Sequence, residues 1–158
     1  MGTPASLAQV HGAWEALCTR GDVEVCKEAG LPVTYQVFCR GCWPIYWRYG
    51  AACAGSAAVG VAVAASVVRG LVPRWDAVLR SPSPAVMTWE YLVECASSSR
   101  TPSVARLYRV LERREADALL LRHKLGLSAP QGGAVMGLNS AEFALLSRRA
   151  LRNVAAQA

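Results

Sequence analysis

From Tyr49 to Val68 the chain carries no charged side chain, and this 20-residue run is bracketed by Arg48 and Arg69. At about 1.5 Å of helical rise per residue it would reach roughly 30 Å, the thickness of a bilayer's hydrocarbon core. The pattern predicts one membrane-spanning helix, placed at residues 49–72. Trp43, Tyr46, Trp47 and Arg48 precede the run and Arg69 and Trp75 follow it, the residue types that anchor a span at its two interfaces. Five valines are its strongly apolar residues, and most of the remainder is Ala, Gly and Ser. Ala52, Ser56, Gly60 and Ala64 recur every four residues, a stripe that lets neighbouring helices approach closely. A buried Ala-rich helix of a soluble core is the competing reading.

The other periodicities are helical. Leu7, Val10, Trp14 and Leu17 share one face of a predicted helix from Ser6 to about Cys18, and a second short segment covers Val23 to Ala29. Val33 to Phe38 is rich in β-prone residues and predicts a short extended stretch leading into a bend at Cys39–Pro44. Ser83 before Pro84, and Thr101 before Pro102, pair a cap with a proline in the first helical turn. They predict helices to about Ala96 and about Leu125. The two adjacent glycines near position 132 mark residues 128–138 as a loop. Asn139 with Glu142 three residues later has the spacing of a capping box and opens a last helix.

The expectation is a mostly α-helical chain in four parts: an N-terminal cysteine-containing lobe (1–48), the transmembrane helix (49–72), a connector with a short helix (73–100) and a basic C-terminal helical region (101–158). Both flanking parts are too short for a large enzyme core.

Charge orients this arrangement. The chain has a formal net charge of +6. Before the run four basic residues balance four acidic ones, whereas 13 basic residues face seven acidic ones after it. By the positive-inside rule the C-terminal side is expected on the cytoplasmic or matrix side. The arginines are interrupted by Glu112, Glu115, Asp117 and Glu142, and neither zinc-finger spacing nor an RNA-binding sheet motif occurs, so nucleic acid is not an expected partner. The first 19 residues lack Arg and Lys, which predicts no cleavable secretory or Arg-rich transit segment there. Gly2 and Ser6 fit an N-myristoylation pattern.

Cys18, Cys26, Cys39 and Cys42 precede the run, and in an oxidising space they would form two disulfides. Cys39-Arg40-Gly41-Cys42 is also the minimal motif of a thiol oxidoreductase, without the βαβ pattern that accompanies it. A four-thiolate zinc site needs two close pairs, and this is one. His11 and His123 fall on opposite sides of the run. The expectation is therefore no catalytic residues, no metal and no cofactor.

Arg106-Leu107-Tyr108-Arg109 resembles the Leu-Tyr-Arg tripeptide of small three-helix mitochondrial proteins that bind acyl carrier protein and serve in respiratory-complex assembly. The likeness covers three residues, and no residue role is carried over from it.

The functional expectation is a structural accessory subunit of a multi-subunit membrane complex, a mitochondrial respiratory complex or ATP synthase. Its partners would be other subunits and the lipid bilayer of the mitochondrial inner membrane, with its C-terminal side in the matrix. A membrane-tethered thiol redox or assembly factor using Cys39 and Cys42 is one alternative. A soluble helical interaction protein is the other.

Overall fold

A computed structural model describes residues 31–158, which are mostly helical and include no strand. Cys18, Cys26 and the helices expected before residue 30 lie outside the described residues. Leu31 and Pro32 lead into α1 (Val33–Ala54), followed by α2 (Ala57–Leu71), a 3₁₀ turn (Val72–Arg74), α3 (Trp75–Arg80) and α4 (Pro84–Ser97). Next come α5 (Pro102–Val110), α6 (Arg113–Leu119) with a π-helical turn (Leu120–Lys124), α7 (Ala129–Met136) and α8 (Ser140–Ala156).

The uncharged run is divided between two helices. Gly55 closes α1 at φ 67°, donating its N–H to Ala51 O at 2.8 Å. Left-handed backbone of this kind favours glycine. Ser56 then turns to extended backbone and caps α2 by accepting from Val59 N at 3.3 Å. The helix expected over 49–72 is thus broken at Gly55 and Ser56, which form the turn of an α1–α2 hairpin. No charge marks the break, so hydropathy alone passes over it.

Small residues make the hairpin tight. A Cβ added to Gly60 would lie 2.4 Å from both Ala51 N and Trp47 O, so the two backbones touch where Gly60 crosses α1. The stripe expected on one helix is distributed accordingly. Ala52 belongs to α1, Ser56 is the cap, and Gly60 and Ala64 are buried on α2.

Val33–Phe38 is helical rather than extended. The buried positions Tyr35, Gln36, Cys39, Tyr46, Tyr49 and Cys53 follow helical spacing, and packing of that face overrides the β-preference of the valines. The bend expected at Cys39–Pro44 is also inside α1, with Pro44 accommodated within the helix.

The caps at Ser83, Thr101 and Asn139 stand as expected, the last in a full capping box with Glu142. The helix from Pro102 is shorter than expected. Leu111 and Glu112 adopt extended backbone between α5 and α6, a break with no Gly or Pro to announce it. The expected loop at 128–138 contains α7, opened by a second capping box between Ser128 and Gln131.

Residues from both sides of the run share one core. Tyr35, Tyr46 and Tyr49 of α1 pack with Trp75, Trp89, Leu121 and Phe143. Arg48 donates to Leu125 O at 2.7 Å, and Thr101 N donates to Cys53 O at 2.8 Å. In this fold the described residues on the two sides of the run, from Leu31 onward, belong to a single helical bundle.

The anticipated interface anchors are components of that bundle. Trp75 is buried, meets Tyr35 edge-on at 5.2 Å between ring centroids, and donates to Thr34 Oγ1 at 3.0 Å. Tyr46 is buried against Phe38 and Trp89, while Trp43 and Trp47 are half-buried beside the core. Arg69 donates to Ala65 O at 3.4 Å.

Candidate functional site: a buried polar network and an apolar groove

The most concentrated polar chemistry among the described residues surrounds Asp117 on α6. The carboxylate is buried, its Oδ2 accepts from Trp89 Nε1 at 3.1 Å, and its Oδ1 accepts from the Tyr108 hydroxyl. Tyr49 OH lies 2.7 Å from Tyr108 OH. A phenol has one proton to donate. Since that of Tyr108 goes to Asp117, Tyr49 donates to Tyr108, and the chain of bonds runs from α1 through α5 to α6.

Aromatic contacts hold the network in place. Trp89 meets Tyr49 at 4.8 Å between centroids, and the Arg100 guanidinium stands 3.6 Å above the Tyr108 ring. Burial raises the Asp117 carboxyl above its ordinary value, opposed by its hydrogen bonds and by Arg113 and Arg100. Burial, and then the charge of Asp117, push the Tyr108 phenol well above its ordinary range. Both groups are held in place by neighbours rather than presented to solvent. The arrangement is suited to fixing helix register.

A second buried carboxylate locks α6 to α8. Glu115, 1% exposed, pairs with Arg149 Nε at 3.2 Å and accepts from Asn153 Nδ2 at 3.0 Å.

The other feature is an apolar groove of about 480 Å³ between α1, α4 and α7. Val37, Phe38 and Ile45 form one wall, Pro84 and Ala85 a second, and Ala134 with Val135 a third. No charged side chain lines it. Thr88 is also at the groove, but its hydroxyl bonds to Pro84 O at 2.9 Å within α4. Val33 and Val37 stand 73% and 67% exposed along α1. The groove can receive an apolar group and offers little to orient a polar one.

Cys42 borders this groove, and Cys39 is buried one helical turn earlier. Both are thiols in the structure. Cys42 Sγ approaches Cys39 O at 3.8 Å, and burial pushes its thiol far above the ordinary range, with Cys39 adding to the effect. A thiol in this environment holds little thiolate at neutral pH, the opposite of what nucleophilic exchange needs. Among the described residues no three His, Cys, Asp or Glu side chains gather as a metal site.

The network was not visible as such in the sequence. Asp117 reads there as one of the acids interrupting a basic helix, and Tyr108 as the centre of a tripeptide. The available signal was local: Asp117 is the single charge in the stretch 116–121, where every neighbour is Ala or Leu. A charge in so apolar a setting needs buried partners.

No protein-family model matches the chain, and neither a curated protein nor a solved structure is significantly similar to it.

Proposed function

We propose that this chain is a non-catalytic helical component of a larger assembly, which receives an apolar group of a partner in the groove between α1, α4 and α7. The observation that carries the reading is the groove itself, about 480 Å³ in volume and without a charged lining residue. The Asp117 network supports it, because its acid and phenols are engaged with one another in the core. The raised Cys42 thiol favours a packing role over redox exchange.

Replacing Ala134, an exposed groove residue, by Trp would fill the space without entering the core. Tagged wild type is expected to recover a defined partner in stoichiometric amount, and Ala134→Trp to lose it while keeping its circular dichroism. Equal recovery by both proteins would contradict the reading.

One observation favours a second reading, an accessory subunit inserted in a membrane complex such as a respiratory complex or ATP synthase of the mitochondrial inner membrane. The continuous helical stretch Ala57–Arg80, 24 residues containing an 18-residue window of mean hydropathy 1.4, is by length and composition able to cross a bilayer. Insertion would require its Val63, Val67 and Leu71 face to exchange the bundle core for lipid or other helices. Retention in the pellet after carbonate extraction would support this reading. Release into the supernatant would exclude it.

A further inference from the structure

Helix α8 buries Phe143, Ser147 and Ala150 and turns a different set of residues outward. Leu145, Arg148, Arg149 and Arg152 follow the i, i+3, i+4, i+7 spacing of one helical stripe, and all four are exposed. Arg149 holds Glu115. Arg148 and Arg152 make no ion pair or hydrogen bond with the described residues.

The opposite side of α8 anchors it to the bundle. A small second core of Leu111, Ala116 and Ala150 ties α8 to α6 and to the end of α5. Arg106 and Val110 of α5 meet Val154 of α8, and Gln157 and Ala158 beyond it, across a shallow groove on the side of α8 turned away from Leu145. Arg109 on α5 and Arg114 on α6 are also exposed. The nearby acids are fewer. Glu115 is buried with Arg149, Glu142 is engaged in its capping box at the far end of α8, and Glu112 is exposed.

We propose that this face of α8 docks peripherally on an anionic lipid surface. Arginines alone would suit any polyanion, but here Leu145 and the flanking Leu151, each 47% exposed, are interleaved with them. A headgroup layer offers phosphates to the guanidinium groups and hydrocarbon to the leucines at the same depth, whereas a nucleic-acid backbone offers only the former. The contact goes beyond the partner groove and lies on different helices.

Vesicle flotation of the full chain tests it, with phosphatidylcholine alone and with added phosphatidylserine. The expected result is binding only to the anionic vesicles, lost as salt is raised. At about fivefold in partitioning per arginine, Arg148→Gln with Arg152→Gln lowers binding by more than about twentyfold. Arg40→Gln with Arg80→Gln removes the same charge from α1 and α3 and has a much smaller effect. Leu145→Ser lowers binding as well, and Ala134→Trp leaves it unchanged.

Circular dichroism confirms that each variant is folded. Absence of binding, equal binding to neutral vesicles, or equal losses in the two arginine pairs would overturn the proposal. So would binding that is indifferent to Leu145→Ser, particularly if a single-stranded RNA binds with the same dependence on Arg148 and Arg152.

Discussion

The hydroxyl of Tyr49 lies 2.7 Å from that of Tyr108, although 59 positions separate them in the chain. Tyr49 opens the uncharged run and Tyr108 stands in the basic region beyond it. Their bond brings together two segments that a single membrane span would hold apart. The Asp117 carboxylate, accepting from Tyr108 and Trp89, fixes both ends of that relationship.

Asp117 gives this network a pH signature. Its carboxyl is raised from an ordinary value of 3.8, so the folded chain holds the proton over a pH range in which the unfolded chain has lost it. Folding stability from this group is fully present below the ordinary value and falls as pH rises through the raised one. Asp117→Asn removes that slope. Urea denaturation across the acidic range should therefore show the Asn variant improving relative to wild type as pH increases. Asp117→Ala leaves the Trp89 and Tyr108 donors unpaired and is expected to cost about 3 kcal/mol at neutral pH.

The close crossing at Gly60 predicts a contrast between two glycines. Gly60→Ala drives a methyl into Ala51 N and Trp47 O, backbone atoms that cannot rotate away, and should cost about 3 kcal/mol. Gly41 lies mid-helix with nothing within 4 Å of an added Cβ. Gly41→Ala should stabilise α1 by up to about 1 kcal/mol. Denaturant midpoints of the two variants check both signs.

For Cys42 the expected outcome is slow chemistry. Its raised thiol should alkylate far more slowly than a free model thiol at neutral pH, and urea should abolish the protection. Mass spectrometry of iodoacetamide-treated protein reads the rate. Rapid labelling of Cys42 in the folded chain would restore the thiol redox reading.

Much of the helical content was legible because caps are local. Ser83, Thr101 and Asn139 each act within one turn, so their spacing predicts the helix starts that the structure has. The division of 49–68 was not legible from hydropathy, because a turn built from Gly55 and Ser56 is as uncharged as the helices it joins. The break at Leu111 has no breaker residue; the small core formed by Leu111, Ala116 and Ala150 is a tertiary contact. The groove is likewise the meeting of three helices distant in sequence.

The account rests on one bundle joining both sides of the run, and a double-mutant cycle between Tyr49 and Tyr108 tests that most directly. Tyr49→Phe, Tyr108→Phe and the double variant each remove a hydroxyl without changing the ring. Urea unfolding free energies should yield a coupling of about 1 kcal/mol between the two sites, since groups in direct contact do not contribute additively. Additive losses, with no coupling, would contradict the single bundle.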